Sequence, residues 1–131
     1  MAKGFRYKGK TLEELGSMNL TELAKIFPAR ARRSLLRGLS SEQQKLIDKL
    51  KKKEITGNKK PTKTHLRNML VLPMMIGKNI LIYNGQEYKQ IQIEPDMLGL
   101  RLGDLSLTRN KVQHNAPGIG ATRSSSAMSV K

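Results

Sequence analysis

Cysteine is absent from this 131-residue chain, which excludes disulfides and thiolate metal sites. His65 and His114 are the only imidazoles, and no carboxylates cluster beside them, so no metal site is expected. Aromatics amount to 4% and hydrophobic residues to 37%, enough for one domain with a modest core, so part of the chain is expected to need a partner to become ordered. Long apolar runs are missing as well. The longest, residues 69–76, is broken by Pro73 and falls far short of the roughly 20 residues that a membrane span requires. Behind the N-terminal charges of Lys3, Arg6 and Lys8 lies no apolar stretch of the signal-peptide kind, so a soluble, cytoplasmic protein with no membrane partner is expected.

Acids are scarce too. Ten Asp and Glu face twenty-five Lys and Arg, for a net charge of +15, an imbalance that calls for an acidic partner, with nucleic acid the foremost candidate. The excess is greatest before residue 60; no acid occurs over residues 25–41, and none follows Asp104.

The first half reads as short helices. Thr11 with Glu14 and Asn19 with Glu22 have the spacing of capping boxes, ahead of Leu12 and Leu15 and of Leu20, Leu23 and Ile26. Pro28 suits the first turn of a helix running from Ala29 to Arg37, with Gly38 as its left-handed stop and Leu35, Leu36 and Leu39 as apolar contacts. Ser40 or Ser41 can cap a further helix whose stripe of Leu46, Ile47 and Leu50 ends in Lys51, Lys52 and Lys53, cations that complement the helix dipole. Residues 56–64, polar and containing Gly57 and Pro61, read as a linker loop. Beyond it, apolar residues over 79–83 and 86–93 flank Asn84-Gly85, the dipeptide suited to a type I′ hairpin turn. Pro95 opens a short helical turn with Met97 and Leu98, after which Leu100, Leu102, Leu105 and Leu107 alternate. The expected organisation is a basic helical region over 1–55, the linker, an α+β core with a β-hairpin over 65–114, and an extended flexible tail over 115–131. That tail is rich in Gly, Ser and Ala and short of large apolar residues.

Groups for catalysis do not converge. Glu13-Glu14 and the pair Glu94 and Asp96 sit at expected helix starts, where acids are favoured by the dipole. His114 near Ser106 and Thr108 has no nucleophile elbow around it, and Gly118-Ile119-Gly120 lacks the Lys-Ser/Thr of a phosphate loop. No enzyme activity and no cofactor are expected. The basic segments say more. Arg30, Arg33 and Arg37 share one helix face, with Arg32 beside them, and a solvated face would usually mix acids among its bases. This arginine ridge is expected to contact RNA, since a planar guanidinium grips phosphate through two bonds and stacks on unpaired bases. Lys51, Lys52, Lys53, Lys59, Lys60 and Lys63 form a second cluster, and Arg67 with Asn68 can set a fork and an amide beside the sheet. Met69, Met74, Met75 and Met97 read as core filler or as a docking surface.

Thr64-His65-Leu66-Arg67-Asn68-Met69, then Leu72-Pro73, Ile76-Gly77, Tyr83-Asn84-Gly85, Met97-Leu98-Gly99, Leu102-Gly103-Asp104 and Thr108-Arg109 resemble, in order and spacing, the universal small-subunit ribosomal protein family numbered nineteen. Residues 30–39, Pro117-Gly118-Ile119-Gly120-Ala121-Thr122 and Ser124-Ser125 resemble its longer archaeal and eukaryotic form, called protein fifteen in eukaryotes, and the chain's length favours the archaeal version. The resemblance implies an α+β fold with a small mixed sheet, packed helices and a terminal extension. It also implies a structural place in the head of the small subunit, bound to small-subunit rRNA beside head proteins of families thirteen and fourteen. The extension would point toward the decoding region and transfer RNA. No homo-oligomer is implied. By position it nominates Arg67, Asn68, Lys78, Thr108 and Arg109 as RNA-facing, with Lys111 in the same stretch and Arg123 in the tail. The chain departs from the family pattern at Met74, where glutamate is usual, at Leu105, where an aromatic is usual, and at Arg123, where eukaryotes often have histidine.

Two other classes fit the charge less well. In a DNA-binding chromosomal protein, the helix over residues 28–38 would need polar base-reading side chains where it carries mainly arginines. An RNA-modifying enzyme or its accessory subunit would need a cofactor pocket or metal cluster.

Overall fold

The computed structural model describes residues 4–113. His114 and the expected tail with Arg123 lie outside the described residues. Four helices come first, and side chains fix their ends. At α1 (Leu12–Ser17) the Glu14 N–H donates to Thr11 Oγ1 at 3.4 Å while the Thr11 N–H donates to Glu14 Oε2 at 3.0 Å, closing the box read from the sequence. At α2 (Leu20–Ile26) the Asn19 N–H donates to Glu22 Oε2 at 3.1 Å. α3 (Ala29–Leu36) follows Pro28 and stops before Gly38, whose φ of 90° is open to glycine and strained for other residues. α4 (Ser41–Thr56) starts on a reciprocal Ser40–Gln43 box and ends on left-handed Gly57. It therefore continues past the three lysines.

The sheet has three strands in the order β1 (Thr62–Thr64), β2 (Asn79–Tyr83), β3 (Tyr88–Gln92). β1 pairs parallel with β2, setting Lys63 opposite Leu81, and β2 pairs antiparallel with β3, setting Tyr83 opposite Tyr88. The fold is α+β with a mixed sheet, as expected. Two local expectations are corrected. The stretch 56–64 is not loop throughout, because Thr62 and Thr64 are buried under the sheet while Lys63 points out, an alternation too short to stand out in sequence. Nor is the hairpin turn a two-residue one: the Tyr83–Tyr88 pairing leaves residues 84–87 between the strands. There Asn84 Oδ1 accepts from the N–H groups of Gln86 and Glu87, and Gly85 alone in this loop has positive φ. The asparagine side chain supplies the turn that the type I′ backbone would have made.

Side chains from both sides of the expected linker meet in one core. Leu15, Leu23, Phe27, Leu35 and Leu50 from the helices are buried with Met69, Leu72, Met75, Ile80, Ile82 and Leu102. α1 packs on the 3₁₀ turn Pro73–Met75, α2 packs on α3, and Tyr7 meets Phe27 edge to face at 5.8 Å. Met69 and Met75 fill core space, as read from the sequence. Leu36, expected to be an apolar contact, is instead 64% exposed beside the arginines of α3, because Ala31 and Leu35 occupy the buried face. The leucine alternation resolves into a 3₁₀ turn at Pro95–Met97 and a one-turn helix α5 (Leu102–Leu105), with Leu100 and Leu107 exposed.

Candidate nucleic-acid interface

α3 and the residue that caps its C-terminus carry Arg30, Arg33 and Arg37 outward, and no acid of α3 shares that surface. Arg32, one step round the helix, is engaged internally. Its Nε donates to the Ala24 carbonyl at 3.0 Å and an Nη to that of Phe27 at 3.4 Å, so it caps the free C-terminal carbonyls of α2.

The lysine cluster divides in the same way. Lys51, Lys52, Lys59 and Lys60 are exposed. Lys53 turns inward and donates to the Lys60 and Pro61 carbonyls at 3.0 and 3.1 Å, folding the loop back on α4. Lys78 at the mouth of β2 pairs with Glu54 at 3.0 Å. Between these groups lies a cleft of about 390 Å³, floored by Leu50 and Thr62 and rimmed by Lys53, Lys59, Lys60 and Lys78. A basic rim around a shallow floor suits a phosphate backbone.

Arg67 has the most committed side chain of those nominated. One Nη donates to the Tyr83 carbonyl at 2.8 Å, and the other to the carbonyls of Gly103 at 2.7 Å and Ser106 at 2.6 Å. The fork read from the sequence as an RNA contact ties β2 to α5. Asn68 is exposed, and its carbonyl accepts from Arg101 at 2.7 Å while the same guanidinium donates to Ser34 Oγ at 2.8 Å. Arg101 thus joins α3 to the segment before the sheet crossover. Sequence reading passed over it, although its place beside Leu102-Gly103-Asp104 marked it. Thr108, Arg109 and Lys111 are exposed after α5.

Sequence reading also passed over three rings. His65 Nε2 and Tyr88 Oη lie 2.7 Å apart, and the His65, Tyr83 and Tyr88 rings pack with centroids 4.4 to 5.5 Å apart. Lys63 Nζ stands 5.2 Å from the Tyr88 ring centroid. The signal was present in two of the three tyrosines flanking one turn. Burial pushes the Tyr7 phenol above its ordinary pKa, as expected of a hydroxyl lodged against core residues. Among the described residues no group of three or more His, Asp or Glu is positioned to hold a metal, and no helix is long and apolar enough to cross a membrane.

A small α+β domain with its cations spread over the outside, rather than gathered around a reaction cleft, has the build of a ribonucleoprotein component. The family profile described as Ribosomal protein S19 matches residues 33–114, well over half of the chain. Small ribosomal subunit protein uS19 of Thermoplasma volcanium is 48% identical over 130 residues, covering 99% of this chain and 83% of the relative. The protein of the same name from Picrophilus torridus matches equally, at 48% over 130 residues with the same 99% and 83% coverage. The chain belongs to the ribosomal protein S19 family, a family of structural ribosomal proteins rather than enzymes.

Proposed function

We propose that the chain is a structural component of the small ribosomal subunit that binds small-subunit rRNA in the subunit head. The supporting observation is the outward row Arg30, Arg33 and Arg37 on a helix whose other face is locked into the core. Asn68, Lys51, Lys52, Lys59, Lys60, Thr108, Arg109 and Lys111 are further exposed groups for phosphate and sugar contact. Arg32, Lys53 and Arg67 serve this surface indirectly, by holding α2, the loop and the sheet in place. Lys78 contributes its charge from within an ion pair. Neighbouring head proteins of families thirteen and fourteen, and transfer RNA reached through residues 115–131, complete the reading that the family resemblance supports.

The test is binding of the purified chain to a transcript of the rRNA head domain across a salt series, with duplex DNA as competitor. Log K is expected to fall against log salt with a slope of roughly 0.7 to 0.9 per phosphate neutralised, and several phosphates are expected. An affinity independent of salt, or an equal preference for DNA, contradicts the proposal. In cell extracts the protein is expected to sediment with small subunits in high salt.

A further inference from the structure

The register of the sheet places Lys63, Leu81 and Gln90 in one row on its outer side, with Tyr83 and Tyr88 two residues along on the same side. Thr62, Thr64, Ile80 and Ile82 point the other way and are buried, whereas Lys63, Tyr88 and Gln90 on the outer side are exposed. At its end the His65 ring packs on Tyr83 and Tyr88, and Tyr88 is 36% exposed. In a chain with so few aromatics, three rings on an open sheet face are not filling the core.

We propose that the His65–Tyr83–Tyr88 patch is a stacking platform for an unpaired RNA base, with Lys63 meeting the phosphate of the same nucleotide. The inference rests on the RNA-binding reading above and names a subsite within it. Its chemistry favours a base over a protein side. Leu81 is the one aliphatic group on this part of the face and is itself half-buried, whereas the core of a protein interface needs contiguous apolar area. A base needs a π face and nearby donors and acceptors, which the rings, the Tyr88 hydroxyl, the His65 imidazole and the Gln90 amide offer. Lys63 now rests over the Tyr88 ring in a cation–π contact that a phosphate can replace at little cost, since both partners are exposed. The overall charge of +15 supplies long-range attraction for the same ligand.

The experiment uses the full chain and the head-domain transcript. Tyr88→Leu is expected to weaken binding about tenfold, within the range of base–aromatic stacking, with no change in the salt slope because no charge is lost. Tyr88→Phe is expected to bind nearly as wild type. Lys63→Gln is expected to lower the slope by roughly 0.7 to 0.9, the share of one phosphate. Undiminished binding by Tyr88→Leu overturns the platform, as does a variant that binds RNA normally but no longer joins its neighbouring proteins, which would make the patch a protein-docking face. Should the leucine variant fail to fold, photo-crosslinking of wild type to a 4-thiouridine transcript decides: adducts at residues 63–65 or 83–88 support the site, and adducts confined to other segments overturn it. Failure of wild type to bind the transcript at all would strike the proposed function instead.

Discussion

Arg67 Nη2 donates at 2.6 Å to the carbonyl oxygen of Ser106, thirty-nine residues further along the chain. The same nitrogen serves Gly103 and its partner nitrogen serves Tyr83, so one half-buried guanidinium satisfies three backbone carbonyls, at the end of β2, within α5 and just after α5. Replacing it with Met removes charged donors and strands acceptors near the core. Arg67→Met is expected to lower stability by about 2–4 kcal/mol, and Arg67→Lys by nearly as much, because a single ammonium cannot span the three positions. Urea unfolding measures both, and a change below about 1 kcal/mol for the Met variant would show the clamp to be dispensable.

Gly103 is the counterpart of that clamp. A Cβ there would lie 2.9 Å from the Arg67 carbonyl oxygen and 3.1 Å from the Arg67 Cβ, and the Gly103 N–H already donates to that oxygen at 2.8 Å. Gly103→Ala is expected to cost about 1–3 kcal/mol, since backbone rather than a flexible tip must give way. Gly16 within α1 has open space around its Cβ position, so Gly16→Ala is expected to stabilise by about 0.5–1 kcal/mol. Parallel denaturation curves compare the two; similar midpoints for both variants would mean that the close approach at Gly103 relaxes freely.

The arginine row separates binding from folding. Arg30, Arg33 and Arg37 are exposed while Arg32 is bonded to the end of α2, so replacing the first three with Gln is expected to leave the circular dichroism of the free protein unchanged and to weaken RNA binding. The salt slope is expected to fall by roughly 0.7 to 0.9 for each phosphate contact removed. Lysine replacements are expected to restore the slope but only part of the affinity, because a point charge lacks the planar fork. Unaltered affinity in the Gln variant would leave the ridge as a solvated face. Arg32→Gln is expected to act in the opposite sense, lowering stability first.

Glu54 is an acid set among cations. Its bond to Lys78 is exposed on the glutamate side, where ion pairs contribute about 0–1 kcal/mol. Glu54→Gln is thus expected to change stability little, yet to free Lys78 and remove a repulsive charge from the basic cleft, so RNA affinity at low salt is expected to rise. Filter binding in a salt series measures this, and an affinity that falls would place Glu54 among the RNA contacts.

Local grammar was legible in the sequence. Thr11 with Glu14, a serine cap before α4 and the glycine at 38 act over three or four residues, and the structure forms them as read. The mixed sheet was legible through the apolar strands around Asn84-Gly85 and through the family resemblance, which the comparisons support. What depends on distant partners was not. β1 has three residues and earns its strand only by lying parallel to β2, and nothing in Arg67 itself distinguishes a phosphate fork from a carbonyl clamp. The ring patch escaped notice for a similar reason: His65 reaches the tyrosines only after the crossover has closed. Charge counts the cations of a chain; packing decides which of them remain free.

The clamp also has a meaning in time. A nascent chain yields α1 to α4 first, but Leu15 and Phe27 share their core with Met75 and Leu102, and Arg67 waits for Ser106. Contacts of such separation close late, because ordering the intervening chain is unfavourable until many of them form together. Until residue 106 has left the tunnel, the early helices therefore travel as an unfinished, highly cationic surface. For that interval the apolar faces around Leu15 and Phe27 lack the partners that Met75 and Leu102 will later supply.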